Sequence, residues 1–367
     1  MAADAPAPRH PTFAQRLVAA WPHRRGLALW LWPLSQLYRL ALWLRRLFYR
    51  LGWARTHRLP VPVVVVGNVV VGGAGKTPTV IALVRDLRAK GRCPGVISRG
   101  HGRSDQGCVE VRADSDSAVC GDEPLLIAQA TGVPLVVGRD RVAAGQMLLT
   151  QHPEVDVVVS DDGMQHWALQ RDITLVVFDA RGIGNGWLLP AGMLREPWPA
   201  PAWGQGPLYL LYNPAPHAPE PPPLLAAAYR SERTLAGHAL APDGRTRDLA
   251  HWAQADAVPL GALAGIAQPE AFFDMLRAHG LALQHTLALP DHASGEQLQN
   301  ALARHSPTTV WFCTEKDAVK LFPRLQRSAN NPQVWAVPLR QTLPPELLSR
   351  LQHDLDALSS PHGHQTP

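Results

Sequence analysis

Lys76 and Thr77 close a glycine-rich stretch containing Gly67, Gly72, Gly73 and Gly75. Backbone N–H groups in such a loop, together with the positive end of a following helix, bind phosphates. The lysine then reaches the β and γ phosphates, and the threonine hydroxyl binds Mg²⁺. The strict pattern G-x-x-x-x-G-K-[ST] wants glycine where this chain has Val70, so the reading rests on the surroundings. Residues 63–66 are a β-branched apolar run that reads as a buried strand, and beyond Pro78 the apolar positions Val80, Ile81, Leu83, Val84 and Leu87 have helical spacing. Strand, glycine loop, Lys-Thr and helix make residues 72–77, Gly72-Gly73-Ala74-Gly75-Lys76-Thr77, a nucleotide-binding candidate.

A second group of residues fits the same chemistry. The apolar run 155–159 delivers Asp161 and Asp162 at its carboxyl end, where adjacent carboxylates repel unless a cation is present. That gives a metal set of Thr77, Asp161 and Asp162 for Mg²⁺ beside a nucleoside triphosphate. Phosphoryl transfer also needs a group to take the nucleophile's proton, and Asp122 and His292 are the uncommitted candidates. By spacing alone, Asp122 and Glu123 read as caps of the apolar helix that follows. On the same grounds His292 reads as a cap or surface residue, and the charged run 313–320 (CTEKDAVK) as a solvated face.

These residues need a scaffold, and the chain has the length for one. At 367 residues, 46% hydrophobic and 18% charged, it is globular and long enough for two domains. Strand and helix patterns alternate from residue 58 onward, giving an α/β fold: a P-loop NTPase-like core with a parallel sheet over 58–207, a second, smaller α/β domain over 208–345, and a tail over 346–367. A proline-rich stretch around 197–223 marks the joint. Four cysteines without a C-x-x-C pair point to free thiols in a reducing compartment and not to a zinc or disulfide framework.

The N-terminal segment 1–57 differs from the rest. Through residue 58 it holds ten arginines against the single acid Asp4. Residues 26–44 are apolar but interrupted by Pro33, Ser35, Gln36 and Arg39, and Trp30, Trp32, Trp43 and Trp53 accompany the arginines. Cations and indole rings on an apolar helix suit a membrane interface. A membrane-associated N-terminal helix is expected, attached from the cytoplasmic side and without a removable signal peptide.

Taken together, VPVVVVGNVVVGGAGKTP (61–78), SRGHGR (98–103), GDEP (121–124), DDGMQH (161–166), LREP (194–197), Asp291-His292 and TEKDAVK (314–320) resemble the tetraacyldisaccharide 4′-kinases, the lipid A 4′-kinase family of Gram-negative bacteria. The resemblance covers about residues 15–340. It implies transfer of the ATP γ-phosphate to the 4′-hydroxyl of a tetraacylated glucosamine disaccharide 1-phosphate at the cytoplasmic face of the inner membrane. It also implies Asp122 with His292 as the proton-accepting dyad and Glu196 in the nucleotide site. The partners expected are the lipid substrate and the membrane surface, with no nucleic acid and no protein partner. Three positions depart from the family pattern: His101 where Tyr is usual, Val70 where Thr is usual, and Ala74 where Thr, Ser or Asn is common. A basic His101 suits an anionic substrate. The rival reading is a membrane-associated P-loop ATPase switch of the MinD/ParA kind. Such switches carry a second lysine where this chain has Val71.

Overall fold

The computed structural model describes residues 13–103, 107–199, 206–214, 225, 227–254, 258–326 and 332–359. Most of the proline-rich joint and the last residues of the expected tail lie outside them. The described residues form two units.

The first unit draws on Met1–Arg55, Val69–Val71 and Arg181–Trp203. It contains α1 (Phe13–Ala20) and the long α2 (Leu27–Arg50). One side of α2 is fastened to the 181–203 segment. Ser35 Oγ donates to the Leu188 carbonyl (2.8 Å) and accepts from the Ala191 N–H (3.0 Å), while the Tyr38 hydroxyl donates to the Arg195 carbonyl (2.8 Å). Trp21 Nε1 reaches the Pro190 carbonyl at 3.0 Å. Away from these contacts Trp30, Leu34, Leu37, Leu40, Leu44, Phe48 and Leu51 recur every three or four residues and are exposed, Trp30 to 84%. Among the described residues no helix is long and apolar enough to cross a membrane. Val69–Val71 joins this unit by backbone pairing, Arg195 N–H to Val69 carbonyl (2.7 Å) and Val71 N–H to Met193 carbonyl (2.9 Å).

Among the described residues the second unit holds two large sheets and a two-stranded ribbon. Its first sheet comprises β1 (Val63–Gly67), β2 (Pro94–Ser98), β3 (Val109–Glu110), β4 (Leu135–Val137), β5 (Val157–Asp161), β6 (Ile173–Asp179), β7 (Leu208–Asn213) and β8 (Tyr229–Arg230), in the order β3-β4-β2-β5-β1-β6-β7-β8. Only the β3 pairing is antiparallel. The central strands are buried on both faces, as their unbroken valine runs require. Helices α3 (Lys76–Ala89), α4 (Ser117–Cys120), α5 (Asp122–Thr131) and α6 (Arg141–Gln151) connect them.

The second sheet has the order β11-β10-β15-β14-β12-β13. Its strands are β10 (His238–Leu240), β11 (Thr246–Asp248), β12 (Leu260–Ala264), β13 (Leu283–Ala288), β14 (Val310–Thr314) and β15 (Gln333–Val337), preceded in the chain by β9 (Glu232–Leu235), which pairs with β16 (Leu339–Thr342) in a separate ribbon. Helices α7 (Ala250–Ala253), α8 (Pro269–Ala278), α9 (Gly295–Leu302) and α10 (Glu315–Leu325) alternate with them, and α11 (Pro345–Ser359) ends the described chain.

Two placements differ from the sequence expectation. The strand at 208, expected to open the second domain, extends the first sheet: β7 runs parallel to β6 from Thr174↔Leu208 to Asp179↔Asn213. The expected tail from 346 is mostly helix. Its Leu347, Leu351 and Leu355, one turn apart, are buried in the same cluster as Val64, Val66, Leu83 and Val159 of the first sheet.

Candidate active site: a phosphate loop, paired aspartates and a carboxylate–imidazole pair

The strand order sets the site. β5 lies directly beside β1, and the register pairs Val66 with Asp161, so the acidic tip of β5 stands next to the start of the glycine loop. This is the carboxyl edge of a parallel sheet, where α/β proteins bind ligands. The loop ends at Gly75 (φ 84°), and α3 begins at Lys76, three residues earlier than its apolar spacing suggests. Gly75 is required twice over: its backbone is left-handed, and an added Cβ would lie 1.5 Å from Arg233 Nη2.

Lys76 Nζ lies 3.5 Å from Asp162 Oδ1 and 3.4 Å from Asn68 Oδ1. Asp162 itself has φ 48°, a conformation few non-glycine residues adopt. Asp161 is buried; its Oδ2 accepts from the Ser98 hydroxyl at 2.9 Å, and its Oδ1 has no hydrogen-bond partner among the described residues. Burial, then the charges of Glu123 and Asp162, push its carboxyl up to about 7 against the pull of Lys76. A buried carboxylate oxygen left open, in a group of acids, is what a cation would satisfy. Among the described residues no three His, Cys, Asp or Glu side chains gather into a metal cage. Mg²⁺ takes one or two carboxylates together with water and phosphate oxygens, and the open Asp161 oxygen beside Asp162 is a ligand of that kind. Thr77, Asp161 and Asp162 therefore fit as the protein's share.

Asp122 and His292 are 170 positions apart in the chain, and the fold brings them together. Asp122 is the first residue of α5, behind Gly121 (φ 93°), whose Cβ position would sit 3.0 Å from the His101 carbonyl. His292 follows β13 and has φ 61°. Its Nδ1 lies 3.2 Å from Asp122 Oδ2. Burial alone would raise the Asp122 carboxyl, but the His292 hydrogen bond and the charges of Lys316 and Lys320 outweigh it and hold it well below the usual range. The same hydrogen bond raises His292. Asp122 Oδ1 also accepts the Glu123 N–H at 3.0 Å; the cap position itself is Gly121, so the two acids expected as caps stand instead in the first turn of the helix. Because Glu123 also acts on Asp161, the pair and the metal group share one electrostatic neighbourhood.

The charged run after β14 is no solvated face. Asp317 is fully buried, accepting from the Thr314 hydroxyl (2.7 Å) and the Gly265 N–H (3.0 Å). Lys316 Nζ reaches Glu123 Oε1 at 3.0 Å, and Lys320 Nζ reaches Asp122 Oδ2 at 3.4 Å. Their spacing of four residues, placed on a helix starting at a strand tip, was the available signal.

Sequence reasoning also passed over Arg141, Asn213 and Arg233. Arg141 is buried at the start of α6; burial lowers its guanidinium to about 10, while Asp161 and Asp162 oppose the shift. Its side chain donates to the Gly138 carbonyl at 2.9 Å, and its N–H reaches His166 Nε2 at 3.3 Å. Asn213 and Arg233 both donate to the Ala74 carbonyl, at 2.9 and 3.1 Å. The loop's shape is thus held through its backbone, which leaves the side chain at 74 free to be alanine.

Glu196 is buried in the first unit, where its charge acts on Tyr38 and Arg46. Val70 is likewise buried there, bridged to Leu194. The His101 ring lies 5.3 Å from that of His292.

A phosphate loop alone could belong to a hydrolase or a switch; with a carboxylate–imidazole pair sharing the electrostatic neighbourhood of the paired aspartates, the fold and site define a P-loop kinase. Comparison with known proteins gives the family. The family described as Tetraacyldisaccharide-1-P 4′-kinase matches residues 27–356, and the chain belongs to it. Relatives named Tetraacyldisaccharide 4′-kinase include one from Acidovorax sp. (strain JS42), 48% identical over 98% of this chain and 99% of its own length. Another, from Polaromonas naphthalenivorans (strain CJ2), is 50% identical over 96% and 99%. Among solved structures, the crystal structure of LpxK from Aquifex aeolicus in complex with ATP matches with a TM-score of 0.71 and 25% identity, covering 90% of this chain and all of that one. Family membership displaces the ATPase-switch alternative.

Proposed function

We propose that the protein transfers the γ-phosphate of ATP to the 4′-hydroxyl of a tetraacylated glucosamine disaccharide 1-phosphate, the lipid IVA-forming step of lipid A biosynthesis. The 3.2 Å pairing of Asp122 with His292 carries this reading, since hydrolysis of ATP alone needs no such acceptor for a sugar proton. In the proposed mechanism the amides of residues 72–77 and Lys76 hold the β and γ phosphates, and Glu196 serves the nucleotide site. Thr77, Asp161 and Asp162 would hold Mg²⁺, which when bound neutralises charge on the transferring phosphoryl group. Asp122 takes the hydroxyl proton as the oxygen attacks, and His292 orients and charges the carboxylate.

The exposed apolar stripe of α2, with its flanking arginines, supports contact with the cytoplasmic face of the inner membrane. A four-chain lipid does not leave the bilayer readily, each buried CH₂ being worth about 0.8 kcal/mol. The enzyme therefore meets its acceptor at the surface.

The test is one assay: purified protein, γ-labelled ATP, Mg²⁺ and the tetraacyl disaccharide 1-phosphate in detergent. Label appearing at the 4′ position supports the reading; ATP hydrolysis without labelled lipid overturns it.

A further inference from the structure

Lys316, on α10, sits among three polar groups drawn from two other places in the fold. Its Nζ is 3.0 Å from Glu123 Oε1 on α5, 3.3 Å from Asp291 Oδ1 and 3.4 Å from His292 Nε2 in the loop after β13. Lys320, one turn on, takes Asp122 Oδ2 at 3.4 Å. The two lysine side chains are only 15% and 10% exposed, so they are committed to this cluster.

An ammonium group has donors and no acceptor. Lys316 can therefore bond Nε2 of His292 only when that nitrogen keeps its lone pair. The ring proton then lies on Nδ1, facing the Asp122 carboxylate 3.2 Å away. An imidazolium would instead set an Nε2–H against the lysine charge.

We propose that Lys316 is a positioning residue for the dyad: it holds His292 as the neutral Nδ1–H tautomer, so that Asp122 alone is the group that takes the proton of the acceptor hydroxyl. The inference rests on the reading of Asp122 as proton acceptor. The proton count closes without the ring changing state: the hydroxyl proton passes to the Asp122 carboxylate, which becomes a neutral acid, while Nδ1–H stays on His292 and Lys316 keeps its charge.

The charged and titratable groups facing the ring are Asp122 and Glu123 from α5, Lys316 and Lys320 from α10, Asp291 beside it and His101 after β2. Asp122 leads in favouring the imidazolium, with Asp291 behind it, and burial and then Lys316 work against them. Removing Lys316 removes the one positive charge in that opposition.

The experiment follows the imidazole nitrogens of the ¹⁵N-histidine-labelled full chain by NMR across pH 5.5 to 9, with the His292 signal assigned by its loss in His292→Gln. In the wild type, the neutral form is expected as the Nδ1–H tautomer. In Lys316→Met the protonation midpoint of His292 moves up by at least about half a pH unit. The acid limb of kcat/KM moves the same way, KM for ATP stays within about twofold, and Lys316→Arg restores both. An Nε2–H tautomer in the wild type, or an unmoved midpoint and pH profile in Lys316→Met, overturns the proposal and leaves the lysine a structural ion pair. If the methionine variant does not fold, Lys316→Gln carries the same expectation and the same power to overturn it. Asp122→Asn separates the two readings: near-native turnover there would remove Asp122 as the base, whatever the tautomer of His292.

Discussion

Asp122 is held by a hydrogen bond from His292, by Lys320 and by its own helix, and all of them favour its charged form. Asp122→Asn is therefore expected to lower kcat by about 10²–10⁴-fold with ATP binding retained, measured by single-turnover kinetics and nucleotide titration. A variant that kept near-native kcat would leave Asp122 a carboxylate of the helix's first turn. The pH dependence follows from His292. Its protonated form is favoured by Asp122, so its midpoint lies above the 6.5 of free imidazole. If the neutral ring is the working form, kcat/KM should fall as pH drops through that raised midpoint, and a profile flat from pH 6 to 8.5 would contradict it. Stability runs the other way: the energy His292 gains by pairing is complete below pH 6.5 and is lost as pH rises through the raised value. Asp122, depressed, contributes above the ordinary carboxylate range and loses that contribution only in strong acid.

At the scale of elements, the parallel strands and the loops at their carboxyl ends were legible from valine runs ending in glycine or acid. β1, β4 and β5 lie where apolar runs stop at Gly67, Gly138 and Asp161. The ribbon of β9 and β16 and the edge strand β13 were not, because their residues are half exposed and mixed in polarity, with no run or clean alternation to mark them. Arg233, which sits over Gly75, comes from that ribbon, so the sequence could not place it. Spacing made Asp122 a cap and His292 a cap or surface residue; the need for a proton acceptor singled both out, and the family resemblance implied them as a pair. Two predictions belong here. Gly75→Ala should abolish measurable ATP binding, because its Cβ would meet Arg233 at 1.5 Å in a left-handed backbone; retained affinity by calorimetry would show that the arginine yields. Asp317→Ala removes the acceptor of the Thr314 hydroxyl and Gly265 N–H at the base of α10. It should cost about 1–3 kcal/mol in urea unfolding.

Over the whole chain, net basic charge and exposed apolar side chains are concentrated in the first unit, while the glycines of 72–75, Lys76 and the paired aspartates lie in the second. Trp30→Glu with Leu37→Glu, both on the exposed side of α2, should reduce cosedimentation with anionic vesicles while leaving ATP binding unchanged. Equal vesicle binding by this variant would place the membrane contact elsewhere. The sequence showed a basic aromatic segment at 1–57, but not that its helix is fastened to residues 181–203, since hydrogen bonds such as Tyr38 to the Arg195 carbonyl leave no periodic trace.

The first unit is discontinuous: its helices come from the opening of the chain, and the segments they bind come from Val69–Val71 and Arg181–Trp203. A ribosome delivers the helix long before its partners. At roughly 5–20 residues per second, α2 waits on the order of ten seconds before residue 195 offers Tyr38 its acceptor. Through that interval the side of the helix that residues 181–203 will cover is as bare as the other. The helix must therefore be carried through synthesis with apolar side chains open all round it, and only the arrival of residues 188–195 closes one side.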